Sequence, residues 1–346
     1  MEISNIVPAP ALTAFVREVP DPLNWILNRF LPDVIVDDIE ARIDSVTKKN
    51  RAAQFRTFDA ESPIGARDPF SSSRVTLPPL SEKIPLGEYE RLQLERVRSG
   101  NANTARVVDE VYNDGENLAR SIRARMELAR GDVLSDGKFT LQNENGLTLE
   151  ADFGLPEDNI VAPAVAWNTD GATPITDLED WANQYEDING ERPRYALVSR
   201  QARSAILRSS EALALAGYTG GTAAPVTLSQ DQLNTILGSR DLPELIGYSA
   251  KIDVGGVDVR PIAEDRVVFL PEEARSLGYT AWGITAEALE FASKADSNTL
   301  MTYEQLPGLF ALVMKETDPV RTWTKVAAAG MPLIEAPRRL LVADIW

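Results

Sequence analysis

Apolar residues recur at steps of three, four and seven between residues 102 and 130, where Val107, Val111, Leu118, Ile122, Met126 and Ala129 form one stripe. Arg120, Arg123 and Arg125 fall mostly outside it. This spacing predicts an amphipathic helix. At about 1.5 Å per residue the helix would be on the order of 40 Å long, longer than a compact domain needs, which suggests a strut. Gly131 and Asp132 are expected to stop it. A shorter helix, Glu88 to Ser99, is expected just before it, across Gly100 and Asn101.

The period then changes to two. GKFTLQNENGLTLEADFG alternates on both sides of Asn145-Gly146, a strong hairpin signal, with Phe139 and Leu141 facing one way and Leu147 and Leu149 matching them across the turn. From Ala166 the pattern is mixed. Helices are expected at Ile175–Asn189, Arg200–Ser210 and Ser229–Gly238, and strands at Tyr195–Ser199, Ser249–Val254, Val257–Pro261 and Arg266–Leu270, with a tight turn at Gly255-Gly256. Trp181 and Tyr185, four apart, suit packing against a sheet. TAWGITAEALEFASKADSNTLMTYEQ reads as a loop, after which FALVMKETD, VRTWTKVAAAGMPLIE and RRLLVADIW alternate as strands. These are expected to join the sheet of the hairpin at residue 145, enclosing residues 166–270 as an inserted unit.

Residues 1–35 combine Pro8, Pro10, Pro20 and Pro22 with isolated apolar side chains (Phe15, Trp25, Ile26, Leu27, Phe30, Leu31), which suits an extended arm with one short helix near Leu23–Phe30. Such an arm needs another surface to cover it. Residues 36–50 read as a strand entering a loop. From Asn50 to Pro85 there is Gly, Pro and Ser punctuation with few apolar residues, too long for an ordinary connection. RAAQFRTFD and SSSRVTLPP fit the two arms of a projecting hairpin with its tip near Pro63 to Pro69; the alternative is a flexible surface loop. Phe55, Phe58 and Phe70 would then need cover from another molecule.

Composition narrows the chemistry. The chain has no histidine and no cysteine, which removes the usual general base, Ser-His and Cys-His dyads, disulfides and thiolate metal sites. A formal net charge of -17 disfavours tight binding to a polyanion. Arg51, Arg56, Arg67 and Arg74 are the one basic bias, suited either to solubility or to an ionic contact with the acidic face of another copy. The N-terminus has Glu2 and interrupting prolines where an export signal would be basic and then apolar, and no run is long enough for a bilayer span, so a cytosolic origin is expected.

Candidate sites fall away on inspection. Gly217-Tyr218-Thr219-Gly220-Gly221 lacks the spacing and lysine of a phosphate loop and follows a helix. Asp132–Gly137 begins like a calcium loop, yet Leu134 stands at a ligand position and the closing Glu is missing. The carboxylate pairs, such as Asp37-Asp38 and Glu272-Glu273, read as a solvated acidic face. No catalytic, cofactor or metal residue is expected, and the chain is not expected to be an enzyme.

The order of elements, with GYTAWGITAEALEFA and then KETDPVRTWTKVAAAGMPLIEAPRRLLVADIW at the terminus, resembles the lambda-like major capsid protein E family of tailed phages, which has the Hong Kong 97-type capsid fold. There a Trp-Thr pair, here Trp323-Thr324, precedes a small-residue run, a Pro such as Pro332 and a closing strand. The resemblance implies an α+β fold with an N-terminal arm (1–35), a strand and E-loop (36–86), a spine helix and peripheral-domain hairpin (87–165), an axial domain (166–305) and returning C-terminal strands (306–346). It implies a virion shell subunit, assembled in the bacterial cytoplasm from hexamers and pentamers around double-stranded DNA held as non-specific contents. Partners would be a separate scaffolding protein, because the chain reaches its arm at once, with a portal and room for a decoration protein. An encapsulin-like compartment enclosing enzymes is the alternative. Lys83 is the only lysine in the loop so drawn, and no covalent cross-link is expected.

The charge balance predicts weak DNA binding without sequence preference. Filter binding at about 150 mM salt should give no sub-micromolar, sequence-selective affinity; such an affinity would contradict this reading of the surface.

Overall fold

The computed structural model describes residues 7–46, 70–87, 102–144, 146–218, 227–294, 306–318 and 320–346. The expected helix at 88–99, the tip of the 145 hairpin and most of the 217–221 glycine cluster lie outside the described residues.

The N-terminal segment is more helical than its prolines suggest. Helix α1 (Ala9–Glu18) takes Pro10 in its first turn, where a missing N–H costs nothing, and buries Leu12, Thr13 and Val16. Between it and strand β1 (Asp33–Ile35) the expected helix is reduced to one 3-10 turn, Leu27–Arg29. The surface that covers the arm belongs to the same chain: Leu12, Val16, Leu27, Phe30 and Leu31 are all buried in its main core.

Strand β2 (Glu40–Val46) pairs antiparallel with β3 (Phe70–Thr76), Ala41 opposite Val75 and Val46 opposite Phe70. The returning arm is thus the SSSRVT part of the expected SSSRVTLPP, and its described partner is Glu40–Val46; the other expected arm, RAAQFRTFD, lies outside the described residues. The intervening residues 47–69 lie outside the described residues. Strand β4 (Pro79–Leu86) follows almost at once, so the segment to Pro85 is strand and not loop. Its alternation is weak because it occupies a sheet edge, with charged residues and Pro79 and Pro85 among its exposed positions.

Helix α2 (Ala102–Asp136) spans 35 residues, roughly 50 Å, and passes through Gly131 and Asp132. Gly131 is not a stop signal. A Cβ there would lie 2.2 Å from the Pro261 carbonyl oxygen, so glycine is needed for a close crossing. Continuing the helix buries Val133 and Leu134, and it ends at Gly137, whose φ of +72° suits a left-handed cap and whose N–H donates to the Val133 carbonyl at 2.9 Å. Hairpin β5 (Lys138–Glu144) and β6 (Leu147–Asp152) follows, tied back to the helix by the Thr140 N–H donating to Asp132 Oδ2 at 3.0 Å.

This hairpin forms a two-stranded sheet of its own, against expectation. The closing strands divide between two other sheets. Strand β15 (Val320–Ile334) has both edges occupied: β4 lies along one, while β13 (Gly278–Gly283) and β14 (Phe310–Thr317) share the other end to end. Strand β1 pairs parallel to β13 and completes this sheet. The TAWG segment read as loop is thus the fully buried strand β13 followed by helix α7 (Ala286–Lys294). Its six positions face protein on both sides, so it shows no alternation.

The second sheet has the order β7 (Ile160–Val161), β16 (Leu341–Asp344), β12 (Arg266–Leu270), β8 (Tyr195–Val198), β9 (Glu244–Gly247). Helices α3 (Pro174–Asn189), α4 (Arg200–Arg208) and α6 (Gln230–Ser239) pack on it close to the positions expected from sequence, and a further short helix that was not expected, α5 (Ser210–Leu215), follows α4 directly and buries Ala212. Trp181 stacks on Trp167 at 5.8 Å and meets Phe269 edge-on, and buried Tyr185 donates its hydroxyl hydrogen to the Arg339 carbonyl. Strands β10 (Ile252–Val254) and β11 (Val257–Val259) form a separate hairpin around Gly255-Gly256.

One polar network joins the two halves. Glu127 and Arg130 on α2 are 1% and 4% exposed. Arg130 donates to Glu127, to the Thr280 hydroxyl on β13 and to Asp33 on β1. Glu127 accepts from the Leu27 N–H at 3.1 Å and from the Tyr248 hydroxyl at 3.0 Å, and Trp282 Nε1 donates to Asp33. Burial pushes the Glu127 carboxyl above the usual carboxylate range, opposed by the Leu27 amide, Arg130 and Tyr248.

Two outcomes follow. Arg130→Met should lower the unfolding free energy by about 3–5 kcal/mol in urea titrations, because it leaves Glu127 buried without its cation. A raised native pKa gives stability that is present at acidic pH and lost as pH rises through it, since the native state then holds the proton that the unfolded state has released. The stability of the unaltered chain relative to Glu127→Gln should therefore shrink as pH rises above the ordinary glutamate range. A difference that grows with pH would show the carboxylate to be favoured by its site.

Candidate subunit interface

The hairpin β2–β3 leaves the body from a fixed root. On one side β1 is paired with β13; on the other β4 is paired with β15, and the Leu77 N–H donates to the Ile39 carbonyl at 2.9 Å to close the base. Buried Ala41, Ile43 and Leu77 anchor the inner face. The outer face carries charge. Arg42 and Arg74 stand directly opposite one another, an arrangement unfavourable by itself, and Arg74 lies 3.6 Å from Glu40. Arg74 is 75% exposed at its side chain, so this ion pair is worth little within the monomer.

Apolar side chains are left open nearby. Ile35 and Ile39, on the way from β1 to β2, are 60% and 55% exposed, and Leu23, in the turn after α1, is fully exposed. On the sheet, Lys83 of β4 stands opposite Lys325 of β15. The like charges are managed separately: Lys325 pairs with Glu287 at 2.6 Å, and Lys83 lies 4.2 Å from the Trp323 ring centre. Lys83 is therefore a sheet residue and not part of a projecting loop. Between β4, α2 and the β5–β6 hairpin lies a groove of about 400 Å³, lined by Leu80, Met126, Phe139, Leu141 and Leu147 with the Arg125–Glu144 ion pair.

Of the interface residues expected from sequence, Arg74 is placed on the outer face of β3, and Phe70 pairs through its backbone with Val46. Arg51, Phe55, Arg56, Phe58 and Arg67 lie outside the described residues. Arg42 was missed. Its signal, a charged residue at an alternate position of β2, acquires meaning only once the register sets it against Arg74. Among the described residues no cluster of metal-ligating side chains is present, and no helix is long and apolar enough to cross a membrane.

Comparison with known proteins gives this geometry a context. The model of the family described as phage major capsid protein E matches residues 9–344. No curated protein matches. Among solved structures, a prophage protein of E. coli CFT073 assigned as its capsid protein is 17% identical with a TM-score of 0.62, over 98% of this chain and 99% of that one. A phage-related protein from Bordetella bronchiseptica RB50 is 13% identical with a TM-score of 0.58, over 97% and 96%. At these identities the likeness establishes the fold, an α+β arrangement of the Hong Kong 97 type. Since the family match runs from the first helix to the last strand, the chain belongs to the phage major capsid protein E family.

Proposed function

We propose that this chain is the subunit of an icosahedral phage head that encloses double-stranded DNA. The family match over nearly the whole chain carries this reading and makes the protein a shell-forming head protein. The finer parts rest on physical argument. A net charge of -17 suits a wall that packed DNA must not adhere to, so the genome is contents and not a ligand. The sheet around β15 with α2 would form the peripheral domain and the sheet around β12 the axial domain. The β2–β3 hairpin would be the root of the E-loop, reaching a neighbour within hexamers and pentamers. Assembly in the bacterial cytoplasm with a separate scaffolding protein and a portal completes the proposal.

The arginines from residue 51 to 74, with Arg42, would meet the acidic surface of an adjoining copy. Each exposed ion pair is worth only about 0–1 kcal/mol, yet it recurs at every contact of a closed shell, while misplaced copies can still leave. Negative-stain microscopy of the purified full chain should show capsomers, shells of mixed size or tubes; a monodisperse monomer at all concentrations would refute the proposal. Arg74→Glu should leave the monomer's circular dichroism unchanged and shift assembly to higher protein concentration, with a smaller shift at high salt than at low.

A further inference from the structure

The β10–β11 hairpin presents an apolar face that the described part of the chain leaves uncovered. Its register sets Ile252 opposite Val259 and Val254 opposite Val257 on one face, and Asp253 opposite Asp258 on the other. Ile252 is buried at the root, but Val254, Val257 and Val259 are 47%, 64% and 38% exposed. Both turn glycines have positive φ and open space where a side chain would begin, so the tip points away from the body. Among the described residues the two strands pair only with each other. An isolated two-stranded hairpin is marginal in water, and β-branched residues on an exposed face gain little unless something covers them.

The polar face is, by contrast, satisfied locally. Asp253 Oδ1 accepts the Gly256 N–H at 2.6 Å, Lys251 reaches Asp258 at 3.5 Å, and Arg260 donates to the Ser249 carbonyl at 3.2 Å. The root is held as well, because Pro261 packs against Gly131 of α2. The hairpin is thus a built projection whose unsatisfied side is confined to three valines.

We infer that the valine face of β10–β11 is a docking surface for a second copy of this chain. The inference rests on the shell reading and adds a contact to it. The area argues for the occupant: three partly exposed valines offer far less than the roughly 800 Å² per partner of a stable pairwise complex, so one such contact cannot hold a lone partner. It becomes useful only when every subunit supplies one and the contacts close on themselves.

Because the chain contains no cysteine, Val257→Cys introduces a single thiol that reports on the face directly. Maleimide labelling of this thiol should be fast in dissociated full-length protein and slower by at least about tenfold in assembled particles. Equal rates in particles that do form would overturn the docking surface and leave the shell reading standing. If the unaltered chain forms no assemblies, the shell reading fails and the surface falls with it. Independently, Val254→Thr, Val257→Thr and Val259→Thr together should raise the protein concentration needed for assembly by about tenfold at unchanged circular dichroism, whereas Asp258→Asn on the opposite face should not. Assembly of the triple variant at the original concentration would also overturn the inference.

Discussion

A buried arginine must be answered on every side, and Arg130 imposes that condition on this fold. Its guanidinium is satisfied by α2 itself through Glu127, by β13 through Thr280 and by β1 through Asp33. Glu127 in turn holds the Leu27 amide and the Tyr248 hydroxyl. The N-terminal segment, the long helix, the central sheet and the loop after β9 therefore share one set of partners, and none can shift without leaving a charge unpaired in the core. The network also reaches the exterior. Asp33 opens β1, and the chain passes from β1 to the β2–β3 hairpin, so the strand leading into that hairpin is tied to Arg130 at its first residue.

Much of this was legible in the chain. The period of the α2 stripe, the two tight hairpins and the amphipathic helices around Trp181 and Ala202 all occur close to where their spacing puts them, because each is specified by contacts a few residues apart. The misreadings share a cause of the opposite kind. Gly131 looks like a terminator until Pro261 is found against it, 130 residues later in the chain. Thr280, Ala281 and Trp282 look like loop because a strand buried on both faces has no alternation to show.

The same distinction separates the residues proposed to meet a neighbour. Arg74 could be suspected from composition, as one of a few basic residues in an acidic chain. Arg42 could not, since its partner across the ladder is fixed only by the register of β2 on β3. Val254, Val257 and Val259 were visible as a strand pair, but their exposure is a property of the folded chain that no local pattern encodes.

The outer margins of the central sheet have a consequence for a protein made in many copies. On β4, Pro79 and Pro85 supply no N–H, and Glu82 and Lys83 put charge along the same border. On β14, the Thr13 hydroxyl both donates to the Ala311 carbonyl and accepts its N–H, closing the backbone groups of that one residue to another strand. Along these two borders, sheet fused to sheet in an open fibre, the attachment hardest to undo, is thereby disfavoured. A shell built from such subunits would rest instead on side-chain contacts, which can be broken and remade until the geometry closes.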